Sequence, residues 1–317
     1  MPAPMTIGVD IGGTKVAAAL VSATGVISHK TRVPMVSSAD SATGFGAVRE
    51  AIDAIFSAVP EAHGAVTGIG ICSPGPLDPK TGVVLNPPNL PCWRNFPLAA
   101  EVETAFGVPA RVDNDANAAG LAEAIWGAGV GYRNVFYATL GTGIGAGIVF
   151  DRQIYHGRTG SAAEGGHVTI DYKGPRCACG KRGCIEALAS GPQIARLARE
   201  KLAAGAVSRI LHHAGTLDQV RAEHVGQAFY EGDPVAREVL TEIAFLLTVW
   251  LGNIVDLLEP DVMVVGGGVA ELMSSFFAAM SADLPHWCLN QRAGEIPLVL
   301  ARYGADAGIA GAASLCR

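Results

Sequence analysis

The chain has 317 residues, of which 50% are hydrophobic and only 16% are charged, and its formal net charge is −6. This length exceeds the usual size of one hydrophobic core, so the composition predicts a folded protein of two domains and excludes a disordered one. The acidic balance gives no general attraction to phosphate backbones or anionic lipid, and we expect neither a nucleic acid nor a membrane as partner.

The start of the chain lacks a basic segment followed by an apolar one. The longest apolar stretch, residues 243–258, contains Gly252, Asn253 and Asp256 and is shorter than the ~20 residues that span a bilayer. We therefore expect a core helix there and a cytoplasmic protein. The seven cysteines are an odd number with three in one cluster, which argues against a disulfide framework.

The first predicted element is a β-hairpin. Residues 6–20 form two apolar runs joined by Gly12-Gly13, a dipeptide typical of a tight turn. A second stretch of the same kind occupies residues 134–150, with Gly141-Thr142-Gly143 between its apolar runs. The two hairpins indicate an internal duplication in which one copy opens each domain.

Other elements alternate in α/β fashion. Apolar periodicity predicts helices over 46–59 and 234–258, a strand over 261–265 and a last helix over about 305–315. The proline- and asparagine-rich segment 77–96 predicts a long loop, and loops of that length are usually functional. We place the domain boundary near residues 116–119, which gives domains of 1–117 and 118–317, and the last helix is a candidate for packing back on the first domain.

Glycines follow apolar runs where a phosphate could approach the backbone. Asp10 and Lys15 flank one such turn, and its glycine amides can reach an anion, although Gly-Gly turns also close ordinary hairpins. The second hairpin repeats the pattern with a threonine hydroxyl, Thr142, which favours phosphate binding. Gly267 and Gly268 follow the predicted strand 261–265 and form either a surface for a base or phosphate or a plain strand-to-helix turn.

Two common nucleotide motifs are excluded. Residues 141–146 fit the loose dinucleotide pattern G-x-G-x-x-A, but a strand-like run follows them where that motif needs a helix. A Walker A loop is absent from the sequence, so P-loop chemistry is excluded as well.

Asp113, Asn114 and Asp115 follow an apolar run and open a predicted helix. A carboxylate at this point can simply cap the helix. It can also accept the proton of an attacking hydroxyl, which is the main chemical task of the protein in phosphoryl transfer to an alcohol. We take Asp115 as the candidate base, Asn114 as a partner for a sugar hydroxyl and Asp113 as the cap.

One histidine and three cysteines fall within eighteen residues, namely His167, Cys177, Cys179 and Cys184. Thiolate and imidazole are the ligands that tetrahedral zinc prefers, although a histidine can also lie near cysteines by chance. Four protein ligands would leave no position for water, so the predicted site is structural. It would orient the two glutamates that flank it, Glu164 and Glu186.

With these motifs in this order, the chain resembles the ROK family (repressors, open reading frames, kinases) over nearly its whole length. The resemblance implies the actin-like ATPase fold, a duplicated ribonuclease H-like α/β architecture whose two domains form a cleft and close on ATP and a hexose. It implies a sugar and phosphate side in domain 1–117, and a nucleotide site and zinc knuckle in domain 118–317.

The resemblance also implies roles for particular residues. Asp115 would be the general base, and Asp10 would lie near Mg²⁺. The expected sugar-binding residues are Gly75, Asn89, Asn114, Asp115, Glu164, His167 and Glu186. The residues expected near the nucleotide are Asp10, Gly12, Gly13, Thr14, Lys15, Thr142, Gly143, Gly267 and Gly268. The expected zinc ligands are His167, Cys177, Cys179 and Cys184.

Residues 85–98 are similar to the corresponding loop of glucokinase members, which implies transfer of the γ-phosphoryl group of ATP to the 6-hydroxyl of glucose. Kinases for N-acetylglucosamine, N-acetylmannosamine, mannose and fructose share the same catalytic set and remain alternatives. A sugar-responsive regulator without catalysis is an alternative of another class, but only nine residues precede Asp10, which leaves no room for a DNA-reading helix. Family members are often dimers or tetramers, so we expect a homo-oligomer.

Overall fold

The computed structural model describes residues 3–38 and 40–317, which form an α/β protein. The strands are β1 Met5–Ile11, β2 Lys15–Ser22, β3 Ile27–Pro34, β4 Val66–Ser73, β5 Leu77–Asp78, β6 Val83–Val84, β7 Ala110–Asn114, β8 Asn134–Leu140, β9 Ile144–Phe150, β10 Gln153–Ile154, β11 Val262–Gly266 and β12 Leu298–Leu300. The α-helices are α1 Ser41–Ala58, α2 Leu98–Phe106, α3 Asp115–Trp126, α4 Glu186–Ala189, α5 Gly191–Ala203, α6 Ile210–Ala214, α7 Ala222–Tyr230, α8 Pro234–Leu258, α9 Ala270–Ser274, α10 Phe277–Asp283 and α11 Ala307–Ser314.

The chain divides into two compact units. The first contains the chain up to Tyr137 together with Gly147–Ala163 and Arg302–Arg317. The second contains Ala138–Ala146 and Glu164–Ala301. The last helix, α11, therefore belongs to the first unit, although it follows the whole of the second in sequence.

Two five-stranded sheets have the same strand order. The first is β3-β2-β1-β4-β7 and the second is β10-β9-β8-β11-β12, so each runs third, second, first, fourth, fifth strand of its repeat. In the first sheet, β1 and β2 pair antiparallel across the predicted hairpin, and β4 and β7 extend the sheet with parallel pairing. The predicted internal duplication is confirmed by this repeated topology.

Strand β2 is buried on both faces, because alternate side chains point to opposite sides of the sheet. Val16, Ala18 and Leu20 join the core that contains α1, while Ala17, Ala19 and Val21 pack with Ile309 and Ala310 of α11. On that second side the helix lies so close to β1 and β4 that a Cβ at Gly8 or Gly70 would overlap backbone atoms of α11. Both glycines are therefore required by close approach.

Helix α8 matches its predicted bounds. Asp233 caps it, because its side chain accepts the N–H of Ala236, and Pro234 occupies the first turn. Within the described ranges, α8 is the one helix that is long and apolar enough to cross a membrane, a test that the core helix of a soluble protein also passes. Of its most apolar window, 61% is buried, and Trp250 donates its indole N–H to the carbonyl of Gly165 at 3.1 Å, so α8 is a core helix of the second unit.

The structure changes the predicted starts of two helices and the description of one loop. Helix α1 begins at Ser41, before the predicted 46, because Asp40 caps it by accepting the N–H of Thr43. The loop over 77–96 is not wholly irregular, since β5 and β6 pair within it. The last helix begins at Ala307 after a short 3₁₀ turn over Gly304–Asp306.

Candidate active site

The junction between β7 and α3 carries three polar residues in a row. The side-chain oxygen of Asn114 accepts the N–H of Ala116 at 2.9 Å and that of Asn117 at 3.4 Å. Asn114 is therefore the N-cap, which satisfies two amides that have no partner within the helix. The prediction that Asp113 caps the helix is wrong, because the helix begins at Asp115 and the cap must be the residue immediately before it.

Asp115 is the first residue of α3, and its side chain is exposed. Its Oδ1 accepts the N–H of Ala116 at 2.8 Å. A carboxylate in the first turn is stabilised by the partial positive charge of the helix N-terminus. The fold therefore holds an accessible carboxylate in a defined position. A base that takes a proton from a hydroxyl needs both properties.

Asp10 is the penultimate residue of β1 and lies next to a buried cysteine of β4. The thiol of Cys72 lies 3.3 Å from Asp10 Oδ1 and donates to it. Burial raises the pKa of the Asp10 carboxyl, while the Cys72 thiol and the charge of Lys15 act in the opposite direction. Burial, with the charges of Asp10 and Asp115, also holds the pKa of the Cys72 thiol well above its usual range. Both carboxylates therefore act on the same buried thiol.

The glycine turn of the first hairpin lies against the proline-rich loop. Gly12 donates its N–H to the carbonyl of Lys15 at 2.9 Å, which closes the turn. A Cβ at Gly13 would stand 3.0 Å from the carbonyl oxygen of Asn89, a tight contact that glycine avoids where the turn and the loop approach each other. Gly75 lies near Asn114, since a Cβ there would stand at an ordinary contact distance of 3.9 Å from Nδ2 of Asn114. The first unit thus places two pairs of the expected residues next to each other, Gly13 with Asn89 and Gly75 with Asn114.

The knuckle is the segment of the second unit that carries His167 and the three cysteines, and it has the geometry of a tetrahedral metal site. The candidate ligand atoms of His167, Cys177, Cys179 and Cys184 all lie within 4.8 Å of one another. Nδ1 of His167 is 3.6 Å from Sγ of Cys177, and the sulfurs of Cys179 and Cys184 are 3.7 Å apart. Tetrahedral zinc, with bonds of about 2.3 Å to sulfur and about 2.0 Å to nitrogen, separates its ligands by about 3.5 to 3.8 Å. The donor set and its spacing therefore fit zinc.

The knuckle thiols differ in acidity. Burial raises the pKa of the Cys184 thiol to about 11, whereas a hydrogen bond from the backbone N–H of Lys181 lowers the pKa of Cys179. Zinc binds thiolates, so the ion would displace the proton that burial favours at Cys184.

Glu186 begins α4 directly after the knuckle and contacts the second hairpin. Its Oε2 accepts the N–H of Ile144 at 3.0 Å, and its Oε1 lies 3.9 Å from Nδ1 of His167. A Cβ at Gly143 would stand 2.5 Å from Glu186 Oε2, which accounts for the glycine there. Glu164 lies at the other end of this segment, before the 3₁₀ turn that carries His167. The segment that carries the knuckle thus places Glu186 against the turn between β8 and β9.

A cavity of about 890 Å³ opens in the second unit. Thr142 and Gly268, two of the residues expected near the nucleotide, line it. The other lining residues are Gly141, Gly191, Pro192, Ala195, Arg199, Val220, Arg221, Ala222, Glu223, Gly226, Gln227, Tyr230, Val269, Glu271 and Leu272. Its size suits a small organic ligand, and its mixture of glycine turns, apolar walls and a few charged side chains is typical of a cofactor pocket.

Two glycines expected at the nucleotide have packing contacts in this unit. Gly267 has φ +91° and lies against the backbone of Leu140, so its conformation and its close approach both require glycine. Gly143 lies against Glu186, as described above. Their contact with a nucleotide stays a prediction.

The sequence-predicted residues therefore fall into two groups. The first unit contains Asp10, Gly12, Gly13, Thr14, Lys15, Gly75, Asn89, Asn114 and Asp115. The second unit contains Thr142, Gly143, Glu164, His167, Cys177, Cys179, Cys184, Glu186, Gly267 and Gly268.

Sequence reasoning missed two kinds of residue. It assigns no role to Cys72 or to His156, whose Nε2 lies 2.6 Å from Oδ2 of Asp113. It also missed the walls of the cavity that come from α5 and α7. The Gly191-Pro192 pair at the start of α5 was a usable signal, because proline in the first turn marks a helix N-terminus, the usual place for an anion.

The chain is similar to one protein family over nearly its whole length. The model of the ROK family matches residues 6–317. A glucokinase from Thermotoga maritima is 34% identical over 318 residues, which cover 100% of this chain and 98% of that protein.

Two solved structures show the same fold. A ROK family glucokinase from Streptomyces griseus, in complex with glucose and AMPPNP, matches with a TM-score of 0.82 and 34% identity over 98% of both chains. A ROK family transcriptional regulator, a homolog of the E. coli MLC protein, matches with a TM-score of 0.88 and 27% identity, covering 99% of this chain and 78% of that one. The predicted actin-like ATPase fold is confirmed.

Proposed function

The chain belongs to the ROK family, and we propose that it is an ATP-dependent hexokinase that transfers the γ-phosphoryl group to the 6-hydroxyl of glucose. The observation that carries this proposal is the exposed Asp115 carboxylate on the capped first turn of α3. It occurs in a chain that is similar over its full length to a glucokinase.

In this reaction Asp115 accepts the proton of the sugar 6-hydroxyl as the sugar oxygen attacks the γ-phosphorus. The bond between that phosphorus and the bridging oxygen of ADP breaks, so the products are ADP and hexose 6-phosphate. Phosphoryl transfer needs little covalent chemistry from the protein, and most of the rate enhancement comes from positioning and charge stabilisation. The hydrogen bond between Asp115 and Ala116 N–H serves that positioning.

The remaining roles follow the two groups of residues described above. In the first unit, Gly75, Asn89 and Asn114 would bind sugar hydroxyls. In the second unit, Glu164, His167 and Glu186 would do the same. Nδ1 of His167 faces the knuckle sulfur of Cys177, which leaves its other ring nitrogen for a substrate.

The cavity in the second unit is our candidate for the site of the ATP base and ribose, because Thr142 and Gly268 line it. Asp10 would hold Mg²⁺, which neutralises charge on the phosphates when bound. Gly12, Gly13, Thr14 and Lys15 would contact the phosphates through backbone amides and a lysine charge. The zinc in the knuckle would be structural, since four protein ligands fill its coordination shell.

The test is ADP release from ATP and Mg²⁺ with glucose, N-acetylglucosamine, N-acetylmannosamine, mannose and fructose assayed in parallel. We expect the highest kcat/KM with glucose, and the Asp115→Ala protein, purified identically, controls for contaminating kinases. A preference for an acetamido sugar would contradict glucose as substrate but keep the kinase. Polyphosphate tested in place of ATP checks the phosphoryl donor.

A regulator without catalysis is the second candidate function. The structural match to a transcriptional regulator of the same family supports it. Calorimetry separates the two, because a regulator would bind glucose in the presence of ATP without turning it over.

We also propose a cytoplasmic location and a homodimer or homotetramer. Light scattering tests the assembly, and a mass near 32.6 kDa would contradict it.

A further inference from the structure

The carboxylate of Asp113 is buried beside the proposed catalytic residue. Its side chain is 5% exposed, at the end of β7. Its Oδ1 accepts the N–H of Asn114 at 2.7 Å and the side-chain amide of Asn117 at 3.2 Å. A buried carboxylate is stable only when it is paired or hydrogen-bonded, and these two donors are neutral.

The partner of Asp113 that can carry a positive charge is His156. Its Nε2 lies 2.6 Å from Asp113 Oδ2, within the distance of a strong charge-assisted hydrogen bond. The two residues are far apart in sequence, so this contact joins the strand that carries the site to the segment after β10.

Backbone hydrogen bonds hold His156 on both sides. The N–H of Tyr155 donates to the carbonyl of Ile148 at 2.8 Å, and the N–H of Ala162 donates to the carbonyl of His156 at 3.2 Å. Gly157 has φ +67°, which turns the chain directly after the histidine. The backbone that carries His156 is therefore held in place, and its imidazole contacts Asp113 from a defined position.

We propose that His156 is a positioning residue for phosphoryl transfer: by holding Asp113, it fixes the junction whose next two residues are Asn114 and Asp115. This inference rests on the proposed function, in which Asp115 is the base. The chain of contacts runs from the imidazole to the Asp113 carboxylate, then to the backbone N–H of Asn114, whose own side chain caps the helix that begins at Asp115. His156 itself touches Asp113 and takes no proton from the sugar.

The pair should make turnover depend on pH. The groups that act on the imidazole are Asp113 of β7, whose hydrogen bond raises the pKa of His156 above its ordinary 6.5, and Lys80 of the turn after β5, which lowers it. Because the pKa is raised, the charged pair is intact at low pH and weakens as pH rises through the pKa of the folded protein. We therefore expect kcat to fall on the alkaline side of that pKa.

The test compares His156→Ala and His156→Gln with a matched control. His286→Gln alters another histidine–aspartate pair, His286 with Asp283 at 3.1 Å, which is exposed in the second unit. We expect His156→Ala to lower kcat by about 10- to 100-fold, the size of effect that a small misplacement of a catalytic group produces, with KM values within about twofold. His156→Gln keeps a hydrogen-bond donor without the charge, so its kcat should fall less than that of His156→Ala. Its kcat should also lack the fall at alkaline pH, the alkaline limb of the pH profile, whereas His286→Gln should retain that limb. An unchanged kcat in His156→Ala, or the same limb in His156→Gln, would overturn the proposal.

A double-mutant cycle checks the route. If His156 acts through Asp113, the Asp113→Asn/His156→Gln protein should lose no more kcat than the more impaired of the two single variants. Losses that multiply would mean that His156 acts by another path.

Two measurements decide the positioning role even if the wild-type protein phosphorylates none of the sugars, an outcome that would contradict the proposed function alone. The NMR titration of His156 should give a pKa above 6.5 that falls in Asp113→Asn. A crystal structure of His156→Ala should show Asp113 and Asp115 displaced from their positions in the wild type. An unshifted titration and an unmoved junction would refute the pair as a positioning device.

Discussion

The two sheets share one strand order, but the carboxylates at their hairpins are held by different means. In the first repeat, Asp10, one residue before the end of β1, receives a hydrogen bond from Cys72 in the neighbouring strand β4. In the second repeat, the hairpin amide of Ile144 donates to Glu186, which comes from the segment that contains the His/Cys₃ set. The same strand order is thus combined with two sources of side-chain contact. A neighbouring strand supplies it in the first repeat, and a knuckle inserted after the hairpin supplies it in the second.

This difference predicts different vulnerabilities. The polar groups around Asp10 and the β7–α3 junction depend on hydrogen bonds and on the His156–Asp113 pair, all of which the polypeptide itself supplies. The polar groups of the second repeat depend on four ligand side chains that zinc would hold together. Removing the metal should therefore affect the second repeat, while substitutions at the β7–α3 junction should affect the first and leave the metal in place.

The largest effect should follow from Asp115→Ala. Loss of the base should lower kcat by about 10³-fold, within the range known for general bases, because alanine has no group that can accept the proton of the 6-hydroxyl. Glucose affinity, measured by calorimetry, should stay within a few fold, and zinc content should be that of the wild type. Asp53→Ala, an exposed aspartate of α1, serves as control. Normal turnover in Asp115→Ala would remove Asp115 from its role.

The next largest effect should come from Cys179→Ser, which tests the second repeat. We expect loss of bound zinc by elemental analysis, a lower melting temperature and glucose affinity weaker by about 10- to 100-fold, as for other disrupted metal shells. Cys288→Ser, a half-buried free cysteine of the same unit, should keep all three properties. Retained zinc with unchanged glucose affinity would contradict the proposed knuckle.

A smaller effect should follow from Gly143→Ala, which leaves the metal ligands intact. The added Cβ would stand 2.5 Å from Glu186 Oε2, so the glutamate must move away from the amide of Ile144. We expect glucose affinity to fall by about tenfold, the equivalent of one charge-assisted hydrogen bond, with zinc retained. Gly46→Ala is the control, because a Cβ there meets no atom within 4 Å. Equal affinities in the two variants would show that Glu186 does not depend on this contact.

Local sequence patterns predicted those parts of the fold whose causes are local. The two glycine hairpins, helix α8 and the knuckle each follow from residues close together in the chain, namely apolar runs around glycines, a Pro234 start with a long apolar face, and a short Cys spacing. The position of Asp115 at the start of a helix was also predictable, since a polar run after an apolar strand is a typical helix entry.

The remaining features depend on contacts that no local pattern encodes. His156 reaches Asp113 only because β10 and β7 are placed near each other by the tertiary fold. The cavity walls come from α5 and α7, separate helices whose facing sides depend on packing. The choice of Asn114 over Asp113 as cap depends on a helix boundary of one residue, which propensities do not resolve.

The smallest effect concerns that cap and separates two roles of one side chain. Asn114→Ala removes the oxygen that accepts the N–H groups of Ala116 and Asn117, so it should lower the free energy of unfolding by about 1 kcal/mol. Asn114→Asp keeps an oxygen for the cap but replaces the amide donor, so stability should be retained while glucose affinity falls. Urea unfolding and calorimetry measure the two quantities. Equal destabilisation by both substitutions would argue against the cap, and full glucose affinity in Asn114→Asp would argue against an amide contact to the sugar. If both expectations hold, the junction orders the first turn of α3 with the same side chain that binds substrate, and needs no metal to do so.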